Sequence, residues 1–112
     1  MQPKKIALFA RDLIEDKKGE EPVVLDISKQ SSFTHFFVIT HGNSAPHVKA
    51  IADHLLDSLK KQKIPVFRKE GLEVGDWIIL DLGAVLVHVF HRDKRLFYNL
   101  ESLWGDAKEV KK

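Results

Sequence analysis

With 112 residues, of which 44% are hydrophobic and 30% charged, the chain has the length and composition of one globular domain around a single core. Its 18 basic and 16 acidic side chains give a formal net charge of +2, too even a balance for nucleic-acid binding by phosphate neutralisation alone. The absence of cysteine excludes a disulfide framework, a thiolate metal site and a cysteine nucleophile, and nothing points to an oxidising compartment.

The first residues, Met1 to Asp12, meet charge after only a short apolar run, which predicts neither a secretory signal nor a membrane span. The cytoplasm is the expected location. Ile6, Phe9, Ala10, Leu13 and Ile14 recur at helical spacing, with Arg11, Asp12 and Glu15 to Lys18 mostly off that stripe, so an amphipathic helix is predicted to end near Gly19. The β-branched run Val23 to Ser28 and the run Phe33 to Thr40 predict two strands. A second helix follows, with Asn43 or Ser44 as its cap, Pro46 in its first turn and an apolar stripe of Val48, Ile51, Ala52, Leu55, Leu56 and Leu59. It stops before Ile64-Pro65, because the residue preceding proline is pushed out of helical geometry. A short extended piece, Val66 to Arg68, leads through Gly71 and Gly75 into a strand pair spanning Gly75 to Phe90. Asp93 to Trp104 reads as a short helix with Leu96, Leu100 and Leu103 on one side, stopped by Gly105. One domain over residues 1–107 and a charged, frayed tail over 108–112 are the expected organisation.

The strand pair is the most informative stretch. With Gly83-Ala84 as a two-residue turn, Leu82 opposes Val85, Leu80 opposes Val87 and Ile78 opposes Val89, which makes one face wholly aliphatic. On the other face Trp77 lies across from Phe90, Ile79 from His88 and Asp81 from Leu86. That face is too apolar for a solvated sheet. Either the final helix covers it, or it stays accessible as an interface anchored by aromatics.

Catalytic chemistry finds little support. The turn Thr40 to Ser44 runs from strand to helix and has the geometry of an anion site, but helix capping explains it and the spaced glycines and lysine of a phosphate loop are missing. Metal-dependent nucleotidyl transfer needs paired carboxylates, whereas Asp81 stands alone. The six histidines, His35, His41, His47, His54, His88 and His91, match no zinc spacing. Lys60, Lys61 and Lys63 suit a solvated helix C-terminus. No catalytic residue, cofactor or metal is therefore assigned.

Read together, Phe36-Phe37-Val38-Ile39 before Gly42-Asn43-Ser44, Val48 with Ala50-Ile51-Ala52, Glu70-Gly71, Gly75 with Trp77, Asp81 with Gly83, Val87-His88-Val89-Phe90, and Arg95 with Phe97-Tyr98-Asn99-Leu100-Glu101 and Leu103-Trp104-Gly105-Asp106 carry a resemblance. From Val24 to Asp106 the chain resembles the Iojap family, the ribosomal silencing factors. The resemblance implies a single compact α/β domain, a mixed β-sheet with helices mainly on one face, similar to the nucleotidyltransferase fold without its catalytic carboxylates. It implies binding to the large ribosomal subunit at ribosomal protein number fourteen, so that the small subunit cannot join and translation is repressed when nutrients are scarce. The resemblance further implies a homodimer, which members often form. His35, His47 and Ala84 depart from the family pattern, which commonly has Asp, Gln and Asp there.

The expected activity is thus a non-enzymatic translation repressor whose partner face comprises Trp77, Ile79, Asp81, His88, Phe90, Tyr98 and Trp104. Neither a membrane nor a specific nucleic-acid sequence is an expected partner. The rival reading is a nucleotide-binding or nucleotidyl-transferring enzyme using Gly42 to Ser44 and Asp81. A third is a dimerisation module that consumes the apolar face.

Overall fold

The computed structural model describes residues 2–111, apart from the side chains of Phe97 and Leu103. Helix α1, Pro3–Asp16, starts on a proline in its first turn and buries Ala7, Ala10, Leu13 and Ile14. Arg11, expected off the apolar stripe, is buried as well, because its Nη1 donates to the Val110 carbonyl (3.1 Å). Strands β1, Glu20–Asp26, and β2, Phe36–Gly42, pair antiparallel. β2 begins three residues later than its apolar run. Ahead of it the His35 and Phe36 amides both donate to the Ala84 carbonyl, which ties the incoming loop to the hairpin turn and leaves Phe33 outside the ladder.

Helix α2, Ala45–Lys61, is capped by Ser44, whose hydroxyl accepts from the His47 amide, and buries Val48, Ile51, Ala52, Leu55 and Leu59. It ends where Lys63 turns left-handed (φ +58°) and the Ile64 amide reaches back to the Leu59 carbonyl, ahead of Pro65. Strand β3 is Arg68–Glu70, displaced toward the C-terminus from the predicted extended piece; β4 is Trp77–Asp81 and β5 Val85–His91. The β4–β5 register pairs Trp77 with Phe90, Ile79 with His88 and Asp81 with Leu86, as the alternation predicts. Gly83 takes φ +86° at the turn, a conformation that costs a side-chain-bearing residue strain.

The predicted final helix is two pieces, α3, Arg92–Tyr98, and α4, Leu100–Leu103. Asn99 breaks it at φ +45°, a left-handed conformation that asparagine tolerates better than most residues. The break dissolves the expected stripe: Leu96 is 80% exposed, Leu100 is half-buried, and the Leu103 side chain lies outside the described residues. The tail also differs from expectation. Lys108–Glu109 forms strand β6 against Leu25 and Asp26, and the Val110 amide donates to the Val24 carbonyl (2.7 Å), so backbone pairing holds what charge suggested would fray.

The mixed sheet has six strands in the order β3-β4-β5-β2-β1-β6, with the parallel β2–β5 pair at its centre and antiparallel pairs around it. Alternation divides the core in two. Val24, Val38, Ile78, Leu80, Val87 and Val89 face α1 and α2. Leu25, Phe37, Ile39 and Phe90 face the other way, where α3, α4 and the following turn give partial cover through Leu100, Trp104 and Ala107. Among the described residues, no helix is long and apolar enough to cross a membrane.

A candidate partner-binding face

The sheet face opposite α1 and α2 carries a connected aromatic surface. Strand alternation puts Trp77 on it, and the indole ring stacks on Phe90 (centroids 4.9 Å, 25°) and leans on Tyr98 (4.7 Å). The indole Nε1–H donates to His88 Nδ1 (3.1 Å). His88 in turn meets Phe37 edge-on (4.8 Å, 71°), and Phe37 meets Trp104 in the same way (5.3 Å, 79°). Such edge and offset contacts add stability beyond the area they bury.

Burial sorts these residues into a floor and a surface. Phe90 and His88, which the sequence reading counted among the partner-contact residues, are buried and hold Trp77 from beneath. The surface consists of half-buried Trp77, Ile79, Asp81 and Trp104 and exposed Tyr98. The last two helices thus cover one part of this face and leave another part accessible. Burial pushes the His88 pKa down to about 4, so at neutral pH the ring is uncharged. Because Nδ1 accepts from the indole, the ring proton sits on Nε2, which finds no partner among the described residues.

The helix that carries Tyr98 also carries Arg95, a residue that periodicity did not single out. The buried Arg95 guanidinium donates to both carboxylate oxygens of Glu101 (2.9 and 3.5 Å), to the Glu20 carbonyl (3.2 Å) and to His41 Nδ1 (3.0 Å). One side chain thus ties the α3–α4 elbow to β1 and β2. Desolvation, with the Arg95 charge beside it, lowers the His41 pKa, which keeps that ring able to accept.

At the other end of the face Asp81 Oδ1 accepts from the Gly83 amide (2.8 Å) and so braces the turn. Phe33 and Phe67, 73% and 68% exposed, stand beside that turn. Sequence reasoning missed both because they lie at strand entrances, where alternation does not reach.

The other sequence candidates resolve into structure. In the Gly42 to Ser44 turn, His47 Nδ1 accepts from the Asn43 amide (3.1 Å) while its Nε2 bonds to the Lys17 carbonyl (2.9 Å), so donors open to an anion by sequence are engaged internally. His54 pairs with Asp16 (3.3 Å), and together His47 and His54 pin the end of α1. His91 caps α3 through the Asp93 amide. Among the described residues no three histidine, aspartate or glutamate side chains come together as metal ligands.

The family described as ribosomal silencing factor during starvation matches the chain over residues 1–112. A ribosomal silencing factor RsfS of Halalkalibacterium halodurans is 44% identical over 110 residues, covering 98% of this chain and 94% of that protein. A crystal structure of a Chromobacterium violaceum protein superposes with a TM-score of 0.91 at 35% identity, over 94% of this chain and 88% of the other. A mouse protein named mitochondrial assembly of ribosomal large subunit protein 1 is 28% identical over 95 residues, 82% of this chain and 42% of its own length.

Proposed function

Because the chain belongs to the family of ribosomal silencing factors, we propose that it binds the large ribosomal subunit at ribosomal protein number fourteen and sterically blocks joining of the small subunit. Translation is then repressed under nutrient limitation, in the cytoplasm and without catalysis. The observation that carries the reading is the aromatic face opposite α1 and α2. Trp77 and Tyr98 present a rigid apolar surface on a buried floor of Phe90 and His88, with Ile79 and Trp104 beside them and Asp81 at the rim. Interfaces draw most of their affinity from such anchored aromatics, surrounded by polar groups that exclude water. The name of the mouse relative, which mentions the ribosomal large subunit, supports the choice of subunit.

The same face also serves a homodimer, so self-association and ribosome binding compete for Trp77. Sedimentation with separated subunits tests the reading. The tagged protein is expected to migrate with the large subunit and not with assembled ribosomes, and Trp77→Ala to weaken that binding by about 30-fold, the equivalent of about 2 kcal/mol. A folded Trp77→Ala chain that binds large subunits at unchanged affinity would overturn the assignment of the face.

A further inference from the structure

At the tip of the β4–β5 hairpin, a cleft of about 280 Å³ opens between Phe33 and Phe67, with Thr34, Arg68 and Asp81 in its lining. The Phe67 ring lies on the turn, close enough that a Cβ added at Gly83 would stand 3.1 Å from it. Two large, mostly exposed rings facing one cleft are unusual on a solvated surface, where apolar patches mark contact sites.

The polar groups of the cleft specify its occupant. Asp81 braces the turn through one carboxylate oxygen, and among the described residues no cation pairs with it. Arg68 is its cross-strand neighbour, yet the Arg68 Nε goes to Glu70 (3.2 Å) instead. Asp81, Glu70 and Arg68 therefore leave this end of the face net negative, on a chain whose total charge is +2. Thr34, 1% exposed, has a hydroxyl with no partner among the described residues, although buried hydroxyls are normally hydrogen-bonded. Aromatic faces attract a cation, a carboxylate pairs with it, and an unmet hydroxyl accepts from it. A guanidinium offers all three complements at once: a flat face for the rings, charge for Asp81 and spare N–H donors for Thr34. An anionic occupant would meet Asp81 without a free counter-charge.

We propose that the cleft between Phe33 and Phe67 receives an arginine side chain of the ribosomal protein bound by the Trp77 face, as a second anchor of that interface. The proposal rests on the ribosome-binding reading above. The cleft is continuous with the face, because Asp81 and Ile79 alternate with Trp77 along one side of β4.

Equilibrium pelleting with purified large subunits tests it, comparing the full chain with Asp81→Asn, with the double variant Phe33→Ala/Phe67→Ala and with Thr34→Val. Asparagine keeps an acceptor for the Gly83 amide, so Asp81→Asn is expected to melt like the parent while binding about ten-fold more weakly, with a shallower salt dependence. The double variant is expected to lose at least as much affinity. Thr34→Val is expected to be no less stable, since it removes an unmet hydroxyl, and yet to bind more weakly. If Asp81→Asn and the double variant bind like the parent while Trp77→Ala does not, the cleft proposal falls and the ribosome-binding reading stands. Weakening by Asp81→Asn with an unchanged salt dependence overturns the arginine. If the parent chain itself fails to pellet with large subunits, the reading beneath the proposal falls.

Discussion

Replacing His88 by asparagine isolates the acid sensitivity of the buried aromatic floor. In the folded chain burial holds the His88 pKa near 4, against an ordinary value of 6.5 that the unfolded chain restores. Between those values the unfolded state binds more protons than the folded state, so the contribution of this group is intact above pH 6.5 and is lost as the pH falls toward 4. From roughly pH 7.5 to 4.5 the two pKa values give a loss of about 2–3 kcal/mol. An asparagine Oδ1 occupies the position of Nδ1 and still accepts from the Trp77 indole, but does not titrate. Urea unfolding followed by tryptophan fluorescence at both pH values, for both chains, gives the relevant quantity as a difference of differences. Asp26, whose pKa is lowered by its hydrogen bonds from Ser28, and His41 titrate in both chains and cancel. The variant is expected to lose about 2–3 kcal/mol less than the parent on acidification. Equal losses would refute the claim that His88 is folded away uncharged beneath Trp77.

Three further outcomes are expected. Ser44→Ala removes the hydroxyl that caps α2 and should lower stability by about 1 kcal/mol, read as a reduced thermal midpoint. Arg95→Met keeps the buried aliphatic length but deletes the bonds to Glu101, Glu20 and His41; a loss of about 2 kcal/mol is expected, with faster amide exchange across α3 and α4 than in α2. Ending the chain at Ala107 removes β6 and the Val110 carbonyl that receives Arg11, for a loss of about 1–2 kcal/mol in chemical denaturation. Identical unfolding midpoints for the shortened and full chains would show that the tail pairing adds nothing.

Much of the sheet was legible because alternation and turn chemistry agree. Gly83 announces a positive φ, and once the turn is set the partners of Trp77, Ile79 and Asp81 follow by counting. The α3–α4 elbow was not legible, since leucines at helical spacing continue past Asn99, and the break is held by Arg95, which bonds to Glu101 across the elbow and to the Glu20 carbonyl from far along the chain. β6 was hidden for a similar reason: its lysine and glutamate carry no strand signal, and only the backbone of β1 and the side chain of Arg11 give them a place. Within the candidate site, the sequence marked the residues of one face but not their depth. Burial of His88 and Phe90 depends on α3 and α4 folding over that face, whereas Phe33 and Phe67 stay outside because the loop between β1 and β2 and the entrance to β3 hold them there.

The parallel pair at the middle of the sheet governs how the chain can assemble. Phe36 pairs with Val85 and Gly42 with His91, so the two innermost strands come from opposite halves of the sequence. The β1–β2 pair and α2 can form early, but the inner edge of β2 stays open until the chain has closed a long loop through α2, β3 and β4 to bring in β5. That closure costs entropy before any central contact offsets it. Neither half therefore owns a complete sheet interior. A cut in the loop between α2 and β3 leaves two fragments, each presenting the edge that the other would cover, and such fragments either reassemble as a pair or aggregate.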